Sequence, residues 1–321
     1  MSKKISIAKR APMVTAPLFI DGISRAGKFL MSDLLQGFSG IEPVQTHTDM
    51  DSLHFLTRLK LIEPKTAQEF LQLMVDVYSY ETLVGRNLNF RKSDKSYILN
   101  HPCGKKLALR CSQPDGQVAF KKIASHKLRS LFIMHELMPN IKTSFDTFSG
   151  LQVVSMLRNP IDLVYSWYTR DYCDRESHDP LYHALLIEGK REPIPWYALD
   201  WQDEYHKLSQ MDRIIRCVDT LNKMNRSSFN RLSAARKKKI LFVSYENIMV
   251  GPRKEIKRIE KFLGKKINAK DLNLVFKNQK LPNLKRLTYK DERVKVIKKH
   301  ATEKYYKKLI AMESKYSKDK L

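Results

Sequence analysis

Residues 17–35 constrain this chain more than any other stretch. Pro17-Leu18-Phe19-Ile20-Asp21 is a short apolar run bounded by Pro and Gly, the length of a buried strand rather than a helix. It passes into Gly22-Ile23-Ser24-Arg25-Ala26-Gly27-Lys28, and then into Phe29, Leu30, Met31, Leu34 and Leu35, which are apolar at helical spacing. That is a strand, a glycine-bearing turn and a helix in succession.

The same order recurs. Leu131-Phe132-Ile133-Met134 reads as a strand ending at His135-Glu136, and Pro139 to Phe148 reads as a helix with Pro in its first turn. Leu151–Leu157 reads as a strand closed by Arg158-Asn159-Pro160, with a helix from Pro160. Ile240–Ser244 is a fourth strand, stopped by Tyr245-Glu246, and Gly251-Pro252 opens a helix that Gly264 ends. Thr66 to Val84 carries a wide apolar stripe at helical spacing, as does Arg293–Met312, whereas 86–118 shows little periodicity. Short strands alternating with amphipathic helices predict an α/β fold of three layers, with a central parallel sheet covered on both faces. In such sheets ligands gather beyond the carboxyl ends of the strands. Ser24-Arg25, His135-Glu136, Arg158 and Tyr245-Glu246 are therefore expected on one rim.

Gly22 to Phe29 matches G-x-x-x-x-G-K-[ST] at every position but the last. Backbone N–H groups at the helix N-terminus bind phosphate together with the helix dipole, and Arg25 and Lys28 would add side-chain cations. In a nucleoside triphosphatase the final hydroxyl holds Mg²⁺, and Phe29 cannot. The loop thus predicts phosphate binding without a metal. Arg158 at a strand end and Ser166, about two turns into the next helix, are suited to gripping a second phosphate.

With these residues in place the chain resembles the sulfotransferases that use 3′-phosphoadenosine 5′-phosphosulfate (PAPS). Pro17–Gly27 is similar to the family's 5′-phosphosulfate loop, and Val153–Tyr168 to its 3′-phosphate element. Ile240–Gly264, with Phe242-Val243-Ser244-Tyr245-Glu246-Asn247, looks like its later strand and helix. The resemblance implies that Arg25, Ala26, Gly27, Lys28, Phe29 and Leu30 form the donor loop, with Arg25 steadying charge on the leaving phosphate. It also implies that Arg158 and Ser166 hold the 3′-phosphate and that Tyr245 contacts adenine. His135 falls where cytosolic members place a catalytic base, with Glu136 as the alternative. A single domain over 1–321 is expected, with a helical acceptor-side insertion over 169–239 and a basic C-terminal helix over 284–321.

The remaining features bear on partners. The formal charge is +25, and from Arg253 to Leu321 Lys and Arg number 23 against 8 Asp and Glu. Such an excess attracts anions of any class. Tyr172, Trp196, Tyr197 and Trp201 could stack on sugar rings, so a glycan is one candidate acceptor, and a packed helical cap is the other reading of these aromatics. The four cysteines form no CxxC pair and read as reduced thiols. Met1-Ser2-Lys3-Lys4-Ile5-Ser6 has charge without an apolar core behind it, so no secretory leader is expected and the cytoplasm is the default location. No run of 18 apolar residues would span a membrane. Two other functions stay open at this point. A P-loop kinase would need a metal-binding carboxylate at a strand end, and a non-catalytic polyanion binder would leave the Arg158–Ser166 pairing without a purpose. No motif for specific nucleic-acid recognition is present.

Overall fold

The computed structural model describes residues 7–318, apart from 95, 113–115, 119–120, 122–124, 126–127, 177, 181, 183 and 191. Residues 1–6, on which the expectation of no leader rests, lie outside the described residues. Seven strands are present among the described residues: β1 (Leu18–Asp21), β2 (Ile41–Thr46), β3 (Arg129–Ile133), β4 (Gln152–Leu157), β5 (Leu186–Ile187), β6 (Ile194–Pro195) and β7 (Ile240–Ser244). Five of them make one parallel sheet in the order β2-β3-β1-β4-β7, and β5 and β6 form a separate antiparallel hairpin.

β1 is buried at every position because it has a strand on each edge and a layer on each face. Its side chains alternate. Leu18 and Ile20 join Leu131, Ile133, Val154 and Met156 under helices Lys28–Leu35, Pro160–Tyr168, Gln210–Asn230 and Pro252–Leu263. Phe19 points the other way, edge-on to Phe132 and Phe148 at 5.9 Å, beneath helices Thr48–Arg58, Pro64–Leu83 and Ile141–Thr147. The chain runs from β1 outward to β2 and β3 on one side, and β4 and β7 fill the other. The strand order therefore reverses at β1, which opens a crevice at its carboxyl end.

The four expected strands are present, and β2 is a fifth. Ile41-Glu42-Pro43-Val44-Gln45-Thr46 hides from a search for apolar runs because half of it is not apolar. An edge strand tolerates Pro43, and the pairing with β3 is irregular between Ile41 and Val44. Buried Glu42 is neutralised by Arg110 through two bonds of 2.6 and 3.0 Å. The stretch 169–239, expected as a helical insertion, contains the long helix Gln210–Asn230 but also the β5–β6 hairpin and the 3-10 turn Trp196–Trp201. The basic C-terminal segment is two helices, Lys290–His300 and Glu303–Lys318, rather than one. Asp212 accepts the Thr302 N–H at 2.9 Å and so pins the chain at the break between them. Among the described residues no helix is long and apolar enough to cross a membrane.

Candidate active site

The turn after β1 is shaped by close approaches that only glycine permits. Gly22 has φ 141°, and a Cβ there would lie 2.6 Å from the Met156 carbonyl of the neighbouring strand. Gly27 has φ 105°, and a Cβ there would lie 2.7 Å from the Tyr245 ring. Arg25 takes φ 75° without being glycine, at a cost of about 1–2 kcal/mol, and its side chain is exposed at the rim. Helix Lys28–Leu35 begins at Gly27 with no side-chain cap and no acid in its first turn, so its N-terminal amide dipoles keep their positive character.

Arg158, just beyond β4, reaches back and donates from Nη1 to the Arg25 carbonyl at 2.7 Å. Its guanidinium lies over the Tyr245 ring, 4.6 Å from the centroid, and its Nε is buried with no hydrogen-bond partner. Ser166 sits on helix Pro160–Tyr168 with its hydroxyl 3.4 Å from Arg25 Nε and 3.2 Å from Arg170 Nη1. Partial desolvation of its guanidinium at the rim, followed by the like charge of Arg170, lowers the Arg25 pKa; Arg158 adds to this and Tyr172 opposes it. Three guanidinium groups, one hydroxyl and an uncapped helix start form a donor set that suits a doubly phosphorylated nucleotide. The unpartnered Arg158 Nε is a further donor available to it. Lys28 differs from the expectation of a loop cation: it is buried beside Asp21, and its ammonium donates to the Gly22 carbonyl at 2.7 Å. Phe29 is half-buried against the core, and Ala26 and Leu30 are buried behind the loop.

Ser24 joins this rim to a cavity of about 230 Å³. Its N–H donates to Glu136 Oε1 at 2.7 Å, and its carbonyl accepts from Trp167 Nε1 at 2.8 Å. Glu136, at φ 48°, is mostly buried and is therefore occupied as a brace for the loop. His135 opens onto the same cavity. Asp51 Oδ1 accepts the His135 backbone N–H at 2.8 Å, and Asp51 Oδ2 lies 2.9 Å from its Nδ1. The cavity walls are largely aromatic, with Phe55, Trp167, Tyr172, Tyr182, Trp196 and Tyr197 contributing. Trp196 stacks on Phe55 at 4.7 Å, and Trp167 on Tyr172 at the same distance. Burial first, then Glu136, pushes the Tyr172 phenol up, while Arg25 and a bond to Ser24 pull it back.

A profile of the sulfotransferase domain matches residues 43–315. The chain belongs to the sulfotransferase domain family. The match begins after β1 and its loop, so the loop's part in the site comes from the geometry above. Among solved structures this sulfotransferase is similar to the sulfotransferase domain from the curacin biosynthetic pathway, with 12% identity, TM-score 0.44 and coverage of 83% of this chain and 78% of that one. It is also similar to the sulfotransferase domain of the Synechococcus PCC 7002 olefin synthase, with 14% identity, TM-score 0.43 and coverage of 84% and 81%. A third is retinol dehydratase in complex with androsterone and the inactive cofactor PAP, with 15% identity, TM-score 0.35 and coverage of 96% and 82%. No curated protein sequence matches the chain. The family assignment rests on the profile.

In this sulfotransferase the rim gathers Arg25, Gly27, Arg158, Ser166 and Tyr245 as the sequence reading expected. Two contributors were missed. Arg170 lies one helical turn beyond Ser166, a spacing that could have flagged it. Asp51 lies 84 residues before His135, and no local pattern points to it. Trp201 is not brought to the cavity: it packs on Tyr205 and under Arg216 instead. Among the described residues no group of three or more His, Cys, Asp or Glu gathers as metal ligands would.

Proposed function

We propose that this sulfotransferase takes its sulfuryl group from PAPS and delivers it to a hydroxyl on a compact, flat acceptor in the aromatic cavity. The observation that carries the donor half is the 2.7 Å bond between Arg158 and the Arg25 carbonyl, which ties two anion-binding groups on adjacent strand ends. The nucleotide, when bound, supplies an activated sulfur whose bond to the phosphate oxygen breaks as the acceptor oxygen attacks. Arg25 and the loop amides would offset the negative charge that grows on that phosphate, and Arg158, Ser166 and Arg170 would hold the 3′-phosphate. His135 Nε2 would take the proton from the acceptor hydroxyl as the new S–O bond forms, a contribution of about 10²–10⁴-fold. Phe29 in place of a hydroxyl leaves the charge neutralisation to Arg25 and the amides rather than to a metal.

The acceptor half of the reading departs from a glycan. Trp196 and Tyr197 are 3% and 6% exposed and enclose a small space. An open stacking platform for a sugar chain would leave such rings uncovered. We place the protein in the cytoplasm as part of the same proposal, since none of its four cysteines is disulfide-bonded. Calorimetry with adenosine 3′,5′-bisphosphate, with and without Mg²⁺, tests the donor. Tight binding that ignores the metal is expected, whereas binding that requires magnesium, or none at all, would overturn the reading.

A further inference from the structure

Asp51 makes two bonds to one residue, and together they determine how that residue can be protonated. Its carboxylate accepts the His135 main-chain N–H on one oxygen and lies 2.9 Å from Nδ1 on the other. The Asp51 side chain is nearly buried, at 6% exposure, while that of His135 retains 30%. A carboxylate only accepts, so Nδ1 of a neutral His135 carries the hydrogen and Nε2 keeps its lone pair. The two residues come from different elements. Asp51 belongs to the first turn of helix Thr48–Arg58, which follows edge strand β2, and His135 follows β3 beside it.

We infer that Asp51 is a positioning residue that fixes the tautomer of His135 and leaves Nε2 as the basic nitrogen of the acceptor cavity. This rests on the reading of His135 as the proton acceptor. In Asp51→Asn the new amide has one fixed orientation, because the His135 main-chain N–H can only donate. The asparagine carbonyl must face it, and the NH₂ group must then face Nδ1. Two donors cannot oppose each other, so the imidazole moves its hydrogen to Nε2. The ring stays in place, but its cavity-facing nitrogen can no longer accept a proton. A group that merely tied down the end of β3 would not produce this result, because asparagine preserves the main-chain bond.

The test combines kinetics with ¹⁵N-histidine NMR on the full chain at a pH where the imidazole is neutral. Wild type should show the Nδ1-protonated pattern for His135, assigned by its loss in His135→Ala. Asp51→Asn should show the Nε2-protonated pattern, with kcat down by about 10²-fold or more and the affinity for adenosine 3′,5′-bisphosphate within about twofold. Wild-type His135 protonated at Nε2 would overturn the inference without any variant, and so would an Asp51→Asn protein that keeps its kcat while His135→Ala loses it. If His135→Ala itself keeps full turnover, the assignment of the base fails, and the NMR pattern still decides whether Asp51 sets the tautomer.

Discussion

The arginine-lined rim and the aromatic cavity share Ser24 yet are built on opposite electrostatic terms. On the rim Arg25 and Arg170 flank the Ser166 hydroxyl while Arg158 bonds the Arg25 carbonyl over the Tyr245 ring, and among the described residues these three guanidinium groups pair with no carboxylate. In the cavity His135 faces Asp51, Arg175 pairs with Asp179, and Glu136 accepts the Ser24 main-chain N–H. Like charges held together demand a polyanion, whereas compensated charges between aromatic walls suit a neutral, flat molecule. The difference separates what binds tightly from what is positioned for reaction.

The sharpest way to break this contrast is Arg158→Ala. Removing a charge-assisted donor costs about 1.5–3 kcal/mol, so calorimetry should show adenosine 3′,5′-bisphosphate binding about 10- to 150-fold more weakly. Quenching of tryptophan fluorescence by simple phenols, which reports on the cavity, should not change. A matching loss of both signals would mean that the two regions are a single site.

Charge beneath the loop gives the next effect. Burial pushes the Asp21 carboxyl up from 3.8 to about 6, against the pull of Lys28. A raised folded-state value means that Asp21 supports folding below about pH 4 and that this support is lost as pH rises through 6. Asp21→Asn escapes the loss while keeping an oxygen for the Leu137 N–H, bonded at 2.9 Å in the wild type. Its stability relative to wild type should therefore grow between pH 4 and pH 7 by up to about 3 kcal/mol. Urea melts at several pH values would read this directly, and a constant difference would refute it.

The cavity side has a mirror-image probe. Leu185→Trp would fill part of the aromatic space, raising the acceptor KM about tenfold, the size of a lost apolar contact, with the nucleotide Kd unchanged. The smallest effect belongs to Glu136→Gln. A glutamine carbonyl can still accept the Ser24 N–H, so turnover should stay within about threefold, whereas loss of a general base would cost about 10²–10⁴-fold.

Legibility in the sequence followed the same division. The rim could be read because its parts lie next to strands that declare themselves. Arg25 follows Leu18–Asp21, Arg158 follows Gln152–Leu157, and Ser166 is reached by helical spacing from Pro160. A parallel sheet then brings strand ends together whatever lies between them. The cavity resisted because its parts come from unrelated stretches. Phe55 and Asp51 belong to a helix after a strand too polar to be noticed; Trp196 and Tyr197 could be named as candidate aromatics, but the turn that closes them over the cavity follows a two-residue hairpin strand that no pattern marks. Lys28 was misread for a different reason. A motif gives a side chain's position in the chain but not its rotamer, and here the ammonium satisfies the Gly22 carbonyl within the fold.

Ser24 carries one last implication. Its N–H is held by Glu136, its carbonyl by Trp167, and its neighbour Arg25 lies on the rim, so a single residue links the two regions. A change there disturbs both chambers together, whereas the hairpin and the aromatic turn touch only one. Redesign toward new acceptors should therefore start from Tyr182, Ala184, Leu185 and Pro195 on the cavity wall and leave the shared Ser24 untouched.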